Sequence, residues 1–126
     1  MSRKILLIED EKDIQTLVKM SLEFTGGHQV IVADNGLTGI EIAEEELPDV
    51  ILLDVMMPKL DGFETYGILQ DKERTKNIPV IFLTAKAQKK EVEQGLQLGA
   101  IGYLIKPFDA MKLNEELESL LSDANL

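Results

Sequence analysis

Val50-Ile51-Leu52-Leu53 is an unbroken apolar run that ends on a carboxylate, Asp54. A run of this length without polar alternation reads as a strand buried on both faces, the habit of a parallel sheet. Pro58 and Gly62 break the regular structure that follows. Asp54 is therefore expected at the carboxyl end of a central strand, where open α/β sheets place their ligands. A buried carboxylate is costly there unless it is paired or meets a cation. The rest of the chain is constrained by what must converge on it.

Four more strand-length runs share the pattern: Lys4–Ile8, Gln29–Ala33, Pro79–Leu83 and Ile101–Ile105. Between them lie stretches with helical spacing. Ile14, Leu17, Val18 and Leu22 set the inner face of a helix over Asp13–Leu22, which Gly26-Gly27 stops. Asp34-Asn35-Gly36 is a turn, and Thr38–Leu47 a second helix with Ile40, Ala43 and Leu47 inward. Gly62–Gln70 is a third, packed through Phe63, Tyr66 and Leu69. Gln88–Leu98 is a fourth, closed by Gly99. Asp109 is expected to cap a last helix reaching about Ser122. Such alternation predicts a doubly wound (βα)5, flavodoxin-like α/β fold: a five-stranded parallel sheet of order 2-1-3-4-5, helices on both faces. The 126 residues suffice for one domain, 1–126, and are too few for two ordinary ones.

In that order the first and third strands are neighbours, so Glu9 and Asp10 lie beside Asp54. Thr84 and Lys106, at two other strand ends, flank the same crevice. Three carboxylates in one crevice repel one another; at roughly 4 Å and an effective dielectric near 20 each pair costs on the order of 4 kcal/mol. A proton or a cation relieves this. The chain has no cysteine, and oxygen ligands without imidazole or thiolate favour Mg²⁺ or Ca²⁺, with Mg²⁺ the better match to a sparse carboxylate set. A carboxylate facing a metal, a hydroxyl and an ammonium suits phosphoryl acceptance. Taken singly, Thr84 reads as a strand-end residue bonded to backbone, Lys106 as a surface cation and Tyr103 as strand packing. The sole histidine, His28, is assigned no function. The four strand ends together make the pattern.

The chain resembles the receiver domains of two-component response regulators from Lys4 to about Leu121. The resemblance is carried by Ile8-Glu9-Asp10-Glu11, Pro48–Asp54, Met57-Pro58, Asp61-Gly62, Leu83-Thr84-Ala85, Gly99-Ala100 and Lys106-Pro107-Phe108. It implies that Asp54 is the phosphoacceptor, Asp10 a direct Mg²⁺ ligand, Glu9 a ligand through water and the Met56 carbonyl a backbone ligand. It also implies that Thr84 is the switch hydroxyl, Lys106 the phosphate-binding lysine, Tyr103 the switch aromatic and Lys106–Pro107 a cis peptide. The partners implied are a sensor histidine kinase or phosphotransfer protein, and a downstream protein. The latter is expected to read the face of the fourth helix, fifth strand and last helix, through Lys89, Lys90, Ile101, Tyr103 and Lys112. Such a chain is a signalling protein that catalyses only its own phosphorylation and dephosphorylation.

The chain departs from the family pattern in two respects. Glu9 stands where Asp is commoner, adding a methylene. The charged dimer residues of the winged-helix transcription-factor branch are missing: Ile101-Gly102 replaces an acidic pair, and Leu113–Leu117 lacks an arginine. A monomer is expected before phosphorylation. The formal net charge of -10 disfavours direct nucleic-acid contact. Without a membrane-length apolar run or a signal peptide, the expected compartment is the cytoplasm. The competing reading is a Mg²⁺-dependent, aspartate-nucleophile phosphatase of the dehalogenase type. That chemistry needs a second Asp two residues after the nucleophile, where this chain has Met56.

Overall fold

A computed structural model describes residues 2–85 and 89–126, with the side chain of Lys89 also outside the described set. Expectations that rest on Gln88 or the Lys89 side chain therefore fall outside the described residues. In chain order the elements are β1 (Lys4–Ile8), α1 (Lys12–Gly26), β2 (Gln29–Ala33), α2 (Gly36–Glu46), β3 (Val50–Asp54), α3 (Gly62–Asp71), β4 (Val80–Ala85), α4 (Lys89–Gln97), β5 (Gly102–Lys106) and α5 (Leu113–Asp123). The strands are parallel in the order β2-β1-β3-β4-β5. The expected doubly wound topology is the observed one.

Successive side chains of each strand point to opposite faces, so two cores form. Leu6, Ile8, Ile51, Leu53 and Phe82 pack under α2, α3 and α4, together with Ala43, Tyr66, Leu69 and Val92. Ile5, Leu7, Leu52, Ile81, Leu83 and Leu104 pack on Val18, Leu22, Leu113, Leu117 and Leu121 of α1 and α5. All five residues of β3 are buried, the burial that an unbroken apolar run demands.

Element ends follow local chemistry. Gly27, at φ 66, closes α1, its N–H bonded to the Glu23 and Leu22 carbonyls. α2 starts at Gly36, two residues before the expected start, because the Asn35 side chain accepts the Thr38 N–H at 2.9 Å. Asp61 and Glu64 form a reciprocal capping box on α3. α5 begins at Leu113, four residues after the expected cap. The Asp109 carboxylate accepts the Met111 N–H at 2.9 Å, and its carbonyl takes the N–H groups of Lys112 and Leu113, each at 3.0 Å. Asp109 thus caps a tight turn that leads into the helix.

Candidate functional site

The register places the acids. Ile8 pairs with Leu53, so the next residue of each chain segment, Glu9 and Asp54, emerge side by side at the carboxyl edge. Asp54 is 2% exposed and Glu9 0%. Asp10 is half-buried. Each of the three offers a carboxylate oxygen within 4.8 Å of the others. Gly62 lets the β3–α3 loop fold down onto this edge: a Cβ there would lie 2.4 Å from the Asp54 carbonyl oxygen.

Lys106 brings the positive charge. From the end of β5 its Nζ reaches 3.0 Å from Asp54 Oδ1 and 2.9 Å from Glu9 Oε1. The first contact is a hydrogen bond; the second is an ion pair outside hydrogen-bonding geometry. Asp54 Oδ1 also accepts the Met56 N–H at 3.3 Å. Glu9 Oε2 accepts the N–H of Glu11 at 3.0 Å. Three buried oxygens, Glu9 Oε1, Asp10 Oδ1 and Asp54 Oδ2, have no hydrogen-bond partner among the described residues, and of these Glu9 Oε1 has only its ion pair with Lys106.

One ammonium among three carboxylates leaves an imbalance that the acidities record. Burial raises Glu9 from its ordinary 4.5 to about 7; the Glu11 N–H and Lys106 oppose the rise, and the Asp54 charge adds to it. Burial likewise raises Asp54 above its ordinary 3.8, against the pull of Lys106. Lys106 moves above 10.5, because its two carboxylate partners outweigh a burial effect of opposite sign. A cluster of hard carboxylate oxygens, short of hydrogen bonds among the described residues, fits Mg²⁺. The residues able to hold it are Asp10, Asp54 and, through its carboxylate edge, Glu9.

Met56 apart, the remaining predicted residues lie on β4, β5 and the segments that follow them. Thr84, next to last in β4, is 1% exposed, its hydroxyl within hydrogen-bond reach of the Ala85 carbonyl. Tyr103 is half-buried and pairs in register with Phe82, while Thr84 pairs with Ile105. Thr84 and Tyr103 therefore share one face of the sheet as diagonal neighbours. Lys106–Pro107 is cis. Met56 is 64% exposed at the mouth of the site. Of the expected docking residues, Lys90 and Lys112 are exposed and Ile101 half-buried.

Two contacts were not foreseen from the sequence. The first is the Glu9–Lys106 pair. The second is Gln15, buried in α1, whose Nε2 donates to the Glu9 carbonyl at 2.6 Å. A polar residue at the buried spacing 15, 18, 22 of α1 is the signal that could have revealed it.

Residues 5–118 match the family described as the response regulator receiver domain. The chain is 40% identical over 121 residues, 96% of its length, to the alkaline phosphatase synthesis transcriptional regulatory protein PhoP of Bacillus subtilis (strain 168), covering 49% of that protein. It is 42% identical over 118 residues, 94% of its length, to the DNA-binding dual master transcriptional regulator RpaA of Synechocystis sp., covering 48% of that one. The chain thus spans about half the length of these curated relatives. Among solved structures, the Vibrio cholerae chemotaxis protein CheY4 superposes with a TM-score of 0.86 at 30% identity, covering 96% of this chain and 100% of that one. The receiver domain of sensor histidine kinase PA1611 from Pseudomonas aeruginosa superposes at 0.83 with 32% identity, covering 97% of this chain and 99% of that one; it was solved with a magnesium ion coordinated in its active site cleft.

Proposed function

The chain belongs to the response regulator receiver domain family, and on that premise we propose that Asp54 accepts a phosphoryl group from a histidine kinase or phosphotransfer protein. The carrying observation is the asymmetry of the Asp54 carboxylate. Oδ1 is held by Lys106 and the Met56 N–H, whereas Oδ2 is buried and without a hydrogen-bond partner among the described residues. Oδ2 attacks phosphorus in line. The new O–P bond forms as the bond from phosphorus to the donor nitrogen, or to the oxygen of a small acyl phosphate, breaks, and the donor leaves with that electron pair.

Asp10, Asp54, the Met56 carbonyl and, through water, Glu9 would hold Mg²⁺, which when bound would supply charge neutralisation at the transferring group. Lys106 adds a second positive charge from the protein, and the Thr84 hydroxyl donates to a phosphoryl oxygen. The Glu9 side chain is long enough to pair with Lys106 before transfer, so the lysine is positioned in advance.

Output follows from Thr84 and Tyr103. Drawing the Thr84 hydroxyl toward Asp54 opens space beside β4, and the Tyr103 ring turns into it. The surface of α4, β5 and α5 then repacks between two arrangements and is read by a downstream protein. The chain is a monomer before phosphorylation and works in the cytoplasm. Its acidic charge keeps these residues off nucleic acid; any DNA contact of the kind named for RpaA lies outside them. Its own phosphorylation and dephosphorylation are its only chemistry. Met56 stands where the phosphatase reading requires an acid.

Incubation with acetyl phosphate and Mg²⁺, followed by intact mass, tests the assignment. One phosphoryl group should appear on wild type and none on Asp54→Asn. Labelling of Asp54→Asn at the wild-type rate overturns it.

A further inference from the structure

We infer that Gln15 is a positioning residue for the metal-binding turn, acting through the backbone of Glu9. The inference rests on the Mg²⁺ reading of Asp10 and Asp54. Gln15 is 8% exposed and shares the buried face of α1 with Val18, Ser21 and Leu22. A buried carboxamide is costly unless its donors are used. Here Nε2 donates to the Glu9 carbonyl at 2.6 Å, six residues back along the chain. The backbone N–H of Gln15 also holds the Glu11 carbonyl at 3.0 Å. One residue therefore fixes both ends of the Glu9–Glu11 turn to α1.

The consequence for Asp10 follows from peptide planarity. The Glu9 carbonyl and the Asp10 nitrogen belong to one rigid plane. The Glu9 N–H is tied to the Ala33 carbonyl at 2.9 Å, which anchors the near side of the residue. The Gln15 bond anchors the far side, and so sets the direction in which the Asp10 side chain leaves the backbone. Asp10 Oδ1 has no hydrogen-bond partner among the described residues. Its placement beside Asp54 is thus inherited from the backbone that Gln15 holds. Groups that orient metal ligands contribute strongly to affinity, because the ligands are then fixed before the ion arrives.

The test is calorimetric titration with Mg²⁺ alone, comparing wild type, Gln15→Met and Thr75→Val. Methionine keeps the length of the side chain and removes the donor. Thr75→Val is the structural control, deleting a buried hydroxyl bond of 2.7 Å to the Leu69 carbonyl, remote from the acids. Gln15→Met should weaken Mg²⁺ about five- to tenfold, while Thr75→Val keeps the wild-type Kd. At saturating Mg²⁺ the maximal rate of labelling by acetyl phosphate should stay within about twofold of wild type, since the phosphoacceptor and Lys106 are untouched. An unchanged Kd in Gln15→Met, or an equal rise in both variants, overturns the inference while leaving the Mg²⁺ site intact. No Mg²⁺ binding by wild type overturns the site and the inference with it. Gln15→Leu, read the same way, serves if the methionine variant does not fold.

Discussion

The two ends of the sheet both carry buried polar clusters, and they settle their hydrogen bonds differently. At the amino end His28 is 5% exposed, yet both ring nitrogens are used: Nδ1 accepts the Arg3 N–H at 3.0 Å and Nε2 lies 2.9 Å from Asn114 Oδ1. The Arg3 guanidinium pairs with Glu118, and the Lys4 N–H meets Asp49 Oδ2 at 2.8 Å. At the carboxyl end three acids cluster, only Glu9 and Asp54 pair with Lys106, and three buried carboxylate oxygens lack a hydrogen-bond partner among the described residues. The first cluster joins β1, β2 and α5 and asks for nothing more. The second is incomplete without a cation or a proton, which is the condition of a binding site.

Lys106→Met should break the contrast most sharply. Removing the ammonium that pairs with Glu9 and Asp54 is expected to slow labelling by acetyl phosphate about 10²-fold or more. Mg²⁺ should still bind, because no metal ligand is lost. Rate and metal affinity can be read on the same sample; a rate within a few-fold of wild type would remove Lys106 from the chemistry.

The next effect is a pH dependence. Glu9 is raised in the folded protein, so its contribution is fully present below about pH 4.5 and is lost as pH rises through about 7. Without divalent ions the fall over that window is on the order of 3 kcal/mol. Urea unfolding at several pH values should show it in wild type and show a shallower fall in Glu9→Gln. Equal slopes would mean that the acidic cluster does not govern the profile.

The smallest of these effects belongs to the satisfied end. His28→Ala leaves the Arg3 N–H and Asn114 Oδ1 without their partner and opens a cavity, for a loss of about 2 kcal/mol. Mg²⁺ affinity should not change. A weaker Mg²⁺ Kd in this variant would show that the two ends are coupled.

Most of this architecture can be read from the apolar runs. A strand buried on both faces has little freedom in a chain of this length, and five of them between helical stretches leave one familiar sheet order. The order in turn places Glu9, Asp10, Asp54, Thr84 and Lys106 together. What the sequence hides is rotation and reach. Ile14 and Leu17 of α1 pack against the core as their spacing predicts but stay partly exposed, and the most buried positions are Gln15, Val18, Ser21 and Leu22. Apolar spacing finds the core-facing side of the helix; it does not show that a carboxamide on that side turns in to meet a backbone carbonyl. The Glu9–Lys106 pair is equally silent, because it depends on one methylene and on how far a lysine crosses two strands. The start of α5 is hidden for a third reason: Asp109 caps the turn before the helix with the same chemistry as a helix cap.

The claim that the carboxyl end is completed by a cation is tested most directly by melting with and without Mg²⁺, in wild type and Asp10→Asn. At a Mg²⁺ concentration ten times the Kd, wild type should gain roughly 1.4 kcal/mol. Asp10→Asn should be at least as stable as wild type without the metal, since one repulsive charge is gone, and should gain little when Mg²⁺ is added. An equal Mg²⁺ response in the two proteins would contradict the account.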